Sequence, residues 1–379
     1  MQKTLTAVLV TALLAVPAVA HAAPKVTFEL PAPTGPHDVG TRQVRLVDPS
    51  RDRELMITVW YPARAGGAPF APYVSAAEAP YFDQGSPAMG MAPGQVDWAG
   101  VSTHSRVGAR AEGRWPVVLY SPGWGSLRTL ATAAAEDLAS RGYVVVAVDH
   151  TDEAPYVVFP DGHVRLAQPK TGDVLPAGLE TRVRDMRFVL DSAASLDGLG
   201  GAVDLSRVGM FGHSFGGDTA AEVVVTDQRV DAAADLDGWL AYDVDGTRPT
   251  RAATEGTARP FLLMGSAGST RDGTPRTHLT SPSWGRFWDN GRGFKRDLLM
   301  AGAMHYSYTD VQAFLPELDE RLDVDPAVRA LRIGTVDPVR SVAAQRAYLG
   351  AFFDQSLKCA PQPLLRHESP AHPDVEFVR

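Results

Sequence analysis

The chain has 379 residues, of which 45% are apolar and 21% charged, and this is enough apolar material for a large core, so the composition excludes a disordered protein. Its formal net charge is −8 and its basic residues form no run that could follow a phosphate backbone, which excludes nucleic acid as the expected partner. The single cysteine, Cys359, excludes an internal disulfide and a cysteine-based metal cluster.

The first 22 residues have the pattern of a secretory signal peptide. Lys3 supplies the positive start, residues 5–16 form an apolar run too short to span a bilayer, and Ala20-His21-Ala22 has the small-x-small pattern of a cleavage site. We therefore expect cleavage near Ala22 and an extracellular or periplasmic protein without a transmembrane segment.

Two β-rich segments follow, at residues 41–47 and 54–61. The turn sequence DPSRDR separates them and predicts an antiparallel hairpin. Residues 66–110 then lose all periodicity, and a loop of that length inside a compact domain is usually functional or mobile. Two interpretations stay open for this segment, a surface insertion that covers the core or a lid over a site.

From Trp115 onward, short apolar strands alternate with helical patterns. Strands are predicted at 115–120, 143–150, 207–212, 230–237, 259–266 and 294–302, and helices at 129–140, 180–194, 217–225 and 342–357. This alternation predicts an α/β fold with a mostly parallel central sheet covered by helices on both faces. We expect one domain over residues 23–357, with 294–302 as its last strand, followed by a Pro-rich tail at 358–379.

The sequence Gly-His-Ser-Phe-Gly at 212–216 lies between a predicted strand and a predicted helix. A sharp strand-to-helix turn strains the backbone at its central residue and leaves no room for side chains two positions away, which explains the two glycines. The turn would lift Ser214 clear of the sheet, where ligands bind in such folds. Ser214 is therefore the predicted nucleophile, and the N–H of Phe215 is a candidate oxyanion donor.

A serine nucleophile needs a histidine base that comes later in the chain. The histidines after Ser214 are His278, His305, His367 and His372. His305 directly follows the strand predicted at 294–302, whereas the others lie in a polar loop or in the tail. We therefore predict His305 as the base.

Two carboxylates are candidates for the residue that orients this base. Asp237 ends the strand at 230–237, and Asp272 follows the next strand at the position that most α/β-hydrolases use. Position alone favours Asp272. The second oxyanion donor is expected from the Gly-rich turn 121–125, where the N–H of Trp124 is the candidate.

Three segments together resemble the platelet-activating factor acetylhydrolase family, plasma and type II branch, of the α/β-hydrolase superfamily. They begin with LYSPGWGS, with RVGMFGHSFGG and with MHYSYTD, and the early VWYPA at 59–63 is also similar, so that the resemblance covers roughly residues 40–62 and 115–315. In that family the acid ends the strand after the nucleophile helix in a Leu-Asp-x-Trp setting. The sequence LDGW at 236–239 matches this setting, so the resemblance implies Asp237 as the acid.

The resemblance implies a secreted serine esterase in which Ser214, Asp237 and His305 form the triad and Trp124 and Phe215 the oxyanion donors. Such an enzyme forms an acyl-enzyme and needs no metal or cofactor. The expected partners are a small-molecule or lipid ester, including an sn-2 acetyl phospholipid, and transiently the lipid surface that presents it. Lipase or polyesterase activity and an acyltransferase with the same triad stay open as alternatives, as does a non-catalytic binding protein.

The sequence departs from that family in one place. Pro122-Gly123 stands where the family usually has His-Gly, and residues 66–110 match no known pattern. Residues 66–110 and the sites around Trp124 and Trp239 are expected to shape the acyl pocket, so the departure bears on the phospholipid specificity.

Overall fold

The computed structural model describes residues 24–64, 66–169, 171–268 and 273–379. The predicted signal peptide and the alternative acid Asp272 lie outside these residues. Among the described residues, no helix combines the length and apolar character needed to cross a membrane.

The described residues form a large mixed sheet with helices on both sides. The strands are β1 Asp38–Asp48, β2 Arg53–Ala63, β3 Phe70–Pro72, β4 Ser102–Val107, β5 Trp115–Ser121, β6 Val144–Asp149, β7 Tyr156–Val158, β8 Val164–Leu166, β9 Val203–His213, β10 Ala232–Leu236, β11 Phe261–Ser266, β12 Lys295–Met300 and β13 Val375–Phe377. The α-helices are α1 Ala79–Phe82, α2 Thr132–Ser140, α3 Leu175–Ser192, α4 Phe215–Thr226, α5 Arg251–Glu255, α6 Pro282–Asn290, α7 Val311–Leu322, α8 Pro326–Ile333 and α9 Pro338–Leu357.

The main sheet has the strand order β13-β12-β11-β10-β9-β5-β6-β2-β1-β4-β3 over the described part of the chain. The six strands from β12 to β6 run parallel, whereas β1 and β2 form the predicted antiparallel hairpin, with Thr41 opposite Trp60. Parallel strands bring their carboxyl ends to one edge, and β9, β10 and β12 all end there. The predicted α/β fold is confirmed.

Alternating side chains of the central strands supply two separate cores. Val117 and Leu119 of β5 pack with residues of α3 and α4 on one face, while Val118 and Tyr120 pack with residues of α2 and α9 on the other. The neighbouring strand β6 divides its side chains in the same way. A sheet covered on both faces explains why its strands read as continuous apolar runs in the sequence.

Two predictions about strands were wrong. Residues 66–110 are not a single irregular loop, because they contain β3, β4, α1 and a 3₁₀ turn at Asp83–Met89. The strand at 294–302 is not the last, because β13 in the C-terminal tail pairs antiparallel with β12. All three strands lie at or near a sheet edge. β3 and β13 have only three residues, too few to show a period, and the buried residues of β4 are the polar Thr103 and Ser105, so β4 shows no apolar alternation.

Part of the segment 66–110 is packed into the protein. The Trp98 ring lies 4.7 Å from that of Phe82 and 5.5 Å from that of Phe314 on α7, and all three side chains are buried. This aromatic cluster fixes the segment against α7, so the neighbouring turn at Asp83–Met89 has a firm support.

Candidate active site

Ser214 occupies the turn between β9 and α4. Its φ of 55° and ψ of −129° are a strained conformation for a residue with a side chain, as the glycine pattern predicts. The Ser214 N–H donates to the carbonyl oxygen of Leu236 at 2.9 Å, which fastens the turn to the neighbouring strand. A Cβ at Gly212 would overlap the Gly216 carbonyl, and one at Gly216 would overlap the Ser121 carbonyl.

His305 and Asp237 are joined by a hydrogen bond of 2.6 Å between Nδ1 and Oδ2. Asp237 is fully buried just after β10, and the His305 side chain is 26% exposed. An ionised carboxylate only accepts hydrogen bonds, so Nδ1 of His305 carries the proton and its Nε2 is left as a basic nitrogen. The structure thus brings together the predicted base and the acid that the resemblance implies.

Three further contacts hold the Asp237 carboxylate. Ser266 donates from its N–H at 2.9 Å and from its Oγ at 3.1 Å, and Nε of Arg276 lies 3.7 Å from Oδ1. Burial alone would raise the pKa of Asp237, but the hydrogen bond and charge of His305 and the charge of Arg276 outweigh it and lower that pKa. The carboxylate is therefore ionised at neutral pH. Sequence reasoning missed Ser266 and Arg276, since neither belongs to a motif.

His213, the residue before the nucleophile, supports the base. Its Nε2 donates to the carbonyl oxygen of His305 at 2.8 Å, and the two rings lie 4.6 Å apart. Burial, together with the charge of His305, lowers the pKa of His213 to about 3, so this ring is neutral in the physiological range. It fixes the backbone of the loop that carries His305.

The turn after β5 packs against the nucleophile. A Cβ built on Gly123 would lie 3.2 Å from Cβ of Ser214, a tight contact that a larger residue could make only with a small shift of the turn. The Trp124 ring contacts the Phe215 ring edge-on at 5.4 Å. Phe215 also begins α4, a helix of 12 residues whose positive end favours a developing oxyanion. Phe215 directly follows Ser214 and Trp124 directly follows Gly123, so both candidate donor residues belong to the segments that meet at the nucleophile turn.

Ser121, His150 and Asp185 form a hydrogen-bonded series of a serine, a histidine and an aspartate away from Ser214. Oγ of Ser121 lies 2.9 Å from Nε2 of His150, and Nδ1 of His150 lies 3.0 Å from Oδ2 of Asp185. All three side chains are at most 2% exposed, so no ester can reach them. Burial and the charge of Arg182 lower the pKa of His150, which is the reverse of what a base needs. This hydrogen-bonded series lies under the turn 121–125 and supports it.

Two buried carboxyls lie behind the nucleophile turn. Oδ1 of Asp218 accepts from the N–H groups of Trp239 and Leu240 at 2.8 and 2.7 Å, and Oδ1 of Asp235 accepts from Gly238 N at 2.7 Å. Together they hold the loop that directly follows Asp237. Burial raises the pKa of Asp218 to about 7 and that of Asp235 well above its usual value, where the charge of Asp218 adds to the effect.

The remaining histidine candidates lie elsewhere. His278 stacks on Trp288 and bonds Asp297 at 2.7 Å, and His367 and His372 lie in the tail. None of these contacts involves Ser214.

A cavity of about 290 Å³ opens beside the site. Its wall includes Gly125, two residues beyond Gly123, and Tyr306, next to His305. Residues of the turn at Asp83–Met89 also line this cavity, so part of the segment 66–110 borders it. The wall is mainly apolar, and its aromatic members are Tyr81, Phe82, Tyr156 and Tyr306.

The sequence matches one family model. The model of platelet-activating factor acetylhydrolase, isoform II, matches residues 22–160 and 179–319, which confirms the resemblance seen in the motifs.

Two curated relatives and one solved structure are similar to the chain. A probable 1-alkyl-2-acetylglycerophosphocholine esterase of Arthroderma benhamiae is 28% identical over 69% of this chain and 66% of the relative, and a platelet-activating factor acetylhydrolase of Cavia porcellus is 29% identical over 34% and 36%. The chain thus spans about one to two thirds of these relatives. The ferulic acid esterase from Streptomyces cinnamoneus is 38% identical, with a TM-score of 0.77 over 93% of this chain and 99% of that structure.

Proposed function

Because the chain belongs to the platelet-activating factor acetylhydrolase, isoform II, family, we propose that it hydrolyses carboxylic esters through an acyl-enzyme on Ser214. The observation that carries the proposal is the 2.6 Å hydrogen bond between His305 and the buried Asp237, beside the strained turn of Ser214. The names of the fungal relative and of the structural neighbour, both esterases, support the same class of reaction.

In the proposed reaction, Nε2 of His305 takes the proton of Ser214 while Oγ attacks the ester carbonyl. The N–H groups of Trp124 and Phe215 bind the tetrahedral oxyanion. His305 then returns the proton to the departing alcohol, and a water molecule, activated by the same imidazole, hydrolyses the acyl-enzyme. Asp237 stays ionised and holds the imidazole in the tautomer that both steps need.

The cavity suggests a small acyl group. Sites for drug-sized molecules measure about 300–1,000 Å³, and 290 Å³ lies just below this range. An acetyl or other short acyl chain fits within that volume. Short-acyl esters, including an sn-2 acetyl phospholipid, are therefore the proposed substrates.

A second candidate is the hydrolysis of esters of aromatic acids. The four aromatic side chains in the cavity wall favour it, since aromatic rings pack edge-on or offset against a bound ring. The structural neighbour from Streptomyces cinnamoneus is named a ferulic acid esterase, which agrees with this candidate.

One substrate panel tests both. Turnover is measured on p-nitrophenyl esters of rising chain length, on an sn-2 acetyl phospholipid and on methyl ferulate, for the wild type and Ser214→Ala. We expect rates to fall beyond short chains and Ser214→Ala to be inactive on every substrate. Wild-type turnover by Ser214→Ala would refute the proposal, and a preference for methyl ferulate over p-nitrophenyl acetate would favour the second candidate.

The enzyme is also proposed to be exported, because residues 1–22 have the pattern of a signal peptide. Sequencing the N-terminus of the mature protein tests this, and a start near Ala23 is expected.

A further inference from the structure

The guanidinium of Arg182 lies directly under the turn that carries a proposed oxyanion donor. Arg182 belongs to α3 and is 1% exposed. Its Nη1 donates to the carbonyl oxygen of Pro122 at 2.6 Å and its Nη2 to that of Gly123 at 2.9 Å. Nη1 also lies 3.2 Å from Oγ of Ser121. One side chain therefore binds three consecutive residues of the turn.

Glu153 fixes the guanidinium in this position. Its Oε2 accepts from Nε of Arg182 at 2.9 Å, and its Oε1 bonds Nη2 of the same side chain. Oε1 also accepts from the N–H of Gly125 at 3.2 Å. The Arg182–Glu153 pair thus ties both halves of the turn 121–125 to one buried ion pair.

Because the carbonyl of Gly123 is held, the geometry of the peptide bond determines the direction of the Trp124 N–H. In a trans peptide the C=O and the following N–H point to opposite sides. Arg182 binds the carbonyl of Gly123, so the N–H of Trp124 points away from α3. The turn passes close to the nucleophile, because a Cβ built on Gly123 would lie 3.2 Å from Cβ of Ser214.

Arg182 also supports the rings of both donor residues. Its Cζ lies 5.1 Å from the ring centroid of Phe215 and 5.9 Å from that of Trp124. These distances are within the range of cation–π contacts. Both proposed donor residues therefore pack against the same guanidinium.

We infer that Arg182 is a positioning residue for the oxyanion hole: it holds the Pro122 and Gly123 carbonyls so that the N–H of Trp124 faces the tetrahedral intermediate. The inference rests on the proposed function. A lysine cannot replace the arginine, because a single ammonium group does not reproduce the planar fork that reaches both carbonyls and Glu153.

The test compares Arg182→Lys with a matched control, Arg346→Lys. Arg346 on α9 is 5% exposed and likewise donates to backbone carbonyls, those of Pro31, Ala32 and Ala133. It therefore reports the cost in stability of losing a buried carbonyl-binding arginine away from Ser214.

For each variant we measure Tm, kcat and KM on p-nitrophenyl acetate, and the Ki of two inhibitors. A trifluoromethyl ketone forms a tetrahedral oxyanion on the serine, and the corresponding alcohol does not.

For Arg182→Lys we expect kcat to fall about 10²–10³-fold, the loss typical of one oxyanion donor, with KM changed less than about threefold. The trifluoromethyl ketone should bind correspondingly more weakly, and the alcohol should bind as before. Arg346→Lys should lower Tm without changing kcat or either Ki. The inference fails if Arg182→Lys keeps its kcat, or if its affinity for the ketone falls no more than its affinity for the alcohol.

Two additions keep the test decisive. If Arg182→Lys does not fold, Glu153→Gln takes its place, because it disturbs the guanidinium and leaves Arg182 present. A lower kcat with weaker ketone binding supports the inference, and unchanged values refute it.

Ser214→Ala separates this inference from the proposed function. An active Ser214→Ala overturns the proposed function, whereas an inactive Ser214→Ala with a fully active Arg182→Lys overturns only the role of Arg182.

Discussion

Asp237 and His305 stand 68 positions apart in the chain and meet through a hydrogen bond of 2.6 Å. The bond depends on sheet topology, because β10 and β12 end at the same edge with only β11 between them. Asp237 follows β10 with a φ of 59°, a left-handed conformation that turns its carboxylate toward β11 and the loop after β12. The Ser266 N–H at the end of β11 completes this arrangement.

We predict that Asp237→Asn lowers kcat by about 10³–10⁴-fold, because an amide no longer holds His305 in the tautomer that leaves Nε2 basic. Asp272→Asn should keep kcat within a few-fold of the wild type. Both variants are assayed on p-nitrophenyl acetate, with circular dichroism to verify folding. If Asp272→Asn is inactive and Asp237→Asn is active, the acid is Asp272, the residue that position in the sequence favours.

Covalent labelling should distinguish Ser214 from the buried Ser121. We predict that a fluorophosphonate modifies Ser214 and leaves Ser121 unmodified, because Ser121 is fully buried and its Oγ is held between His150 and Arg182. Mass spectrometry of the digested protein locates the added mass. Ser214→Ala should abolish labelling of the native protein, and an adduct on the peptide that contains Ser121 would contradict the prediction.

Much of the candidate site could be predicted, because the backbone geometry of the site restricts which residues can stand at certain positions, and those residues are visible in a single sequence. The glycines at 212 and 216 are required by the tight turn around Ser214, and among the four histidines after Ser214, His305 is the one that follows a predicted strand. The choice of Asp237 needed the family resemblance, since Asp237 and Asp272 both follow strands. A carboxylate after a strand is common, and the spacing contains no information on which one turns toward the histidine.

The supports of the site could not be predicted. Arg182 contacts residues about 60 positions away, and Arg276 approaches Asp237 from a loop, so nothing near either residue in the sequence indicates its partner. The same holds for β13, which is only three residues long and is defined by pairing with β12 rather than by its own pattern. Long-range contacts of this kind depend on the complete fold.

Tyr81 is predicted to limit the acyl chain. It lines the cavity and packs against Tyr156 with the ring centroids 5.4 Å apart, so Tyr81→Ala removes one of these rings and widens the cavity. We expect kcat/KM for butanoyl and hexanoyl esters to rise relative to acetyl, by up to about fourfold per methylene, since a buried methylene is worth ~0.8 kcal/mol. The control is Phe70→Ala, an exposed aromatic residue of β3 outside the cavity wall. Equal chain-length profiles for the two variants would count against this role.

The buried carboxyl Asp218 is predicted to make the protein less stable as the pH rises. Its pKa is raised to about 7 by burial, against an unfolded value near 3.8, so the folded state holds a proton that the unfolded chain releases. The stabilising contribution is complete below about pH 4 and is lost as the pH approaches 7, with a slope of at most about 1.4 kcal/mol per pH unit. The groups that act on its charge are Glu222, Asp235 and Arg276.

Asp218→Asn removes this contribution, together with the effect of the Asp218 charge on the pKa of Asp235. Asparagine keeps the oxygen that accepts from Trp239 and Leu240 and has no proton to lose, so the fold of the loop after Asp237 should be retained. We expect the free energy of unfolding of the variant, measured by urea denaturation from pH 4 to 8, to fall less than that of the wild type between pH 4 and 7. Asp310, whose pKa burial also raises to about 7, is present in both proteins, so its effect cancels in the difference between the two curves. Parallel curves would mean that Asp218 is already ionised in the folded protein and that the amide groups of Trp239 and Leu240, rather than a proton, stabilise it.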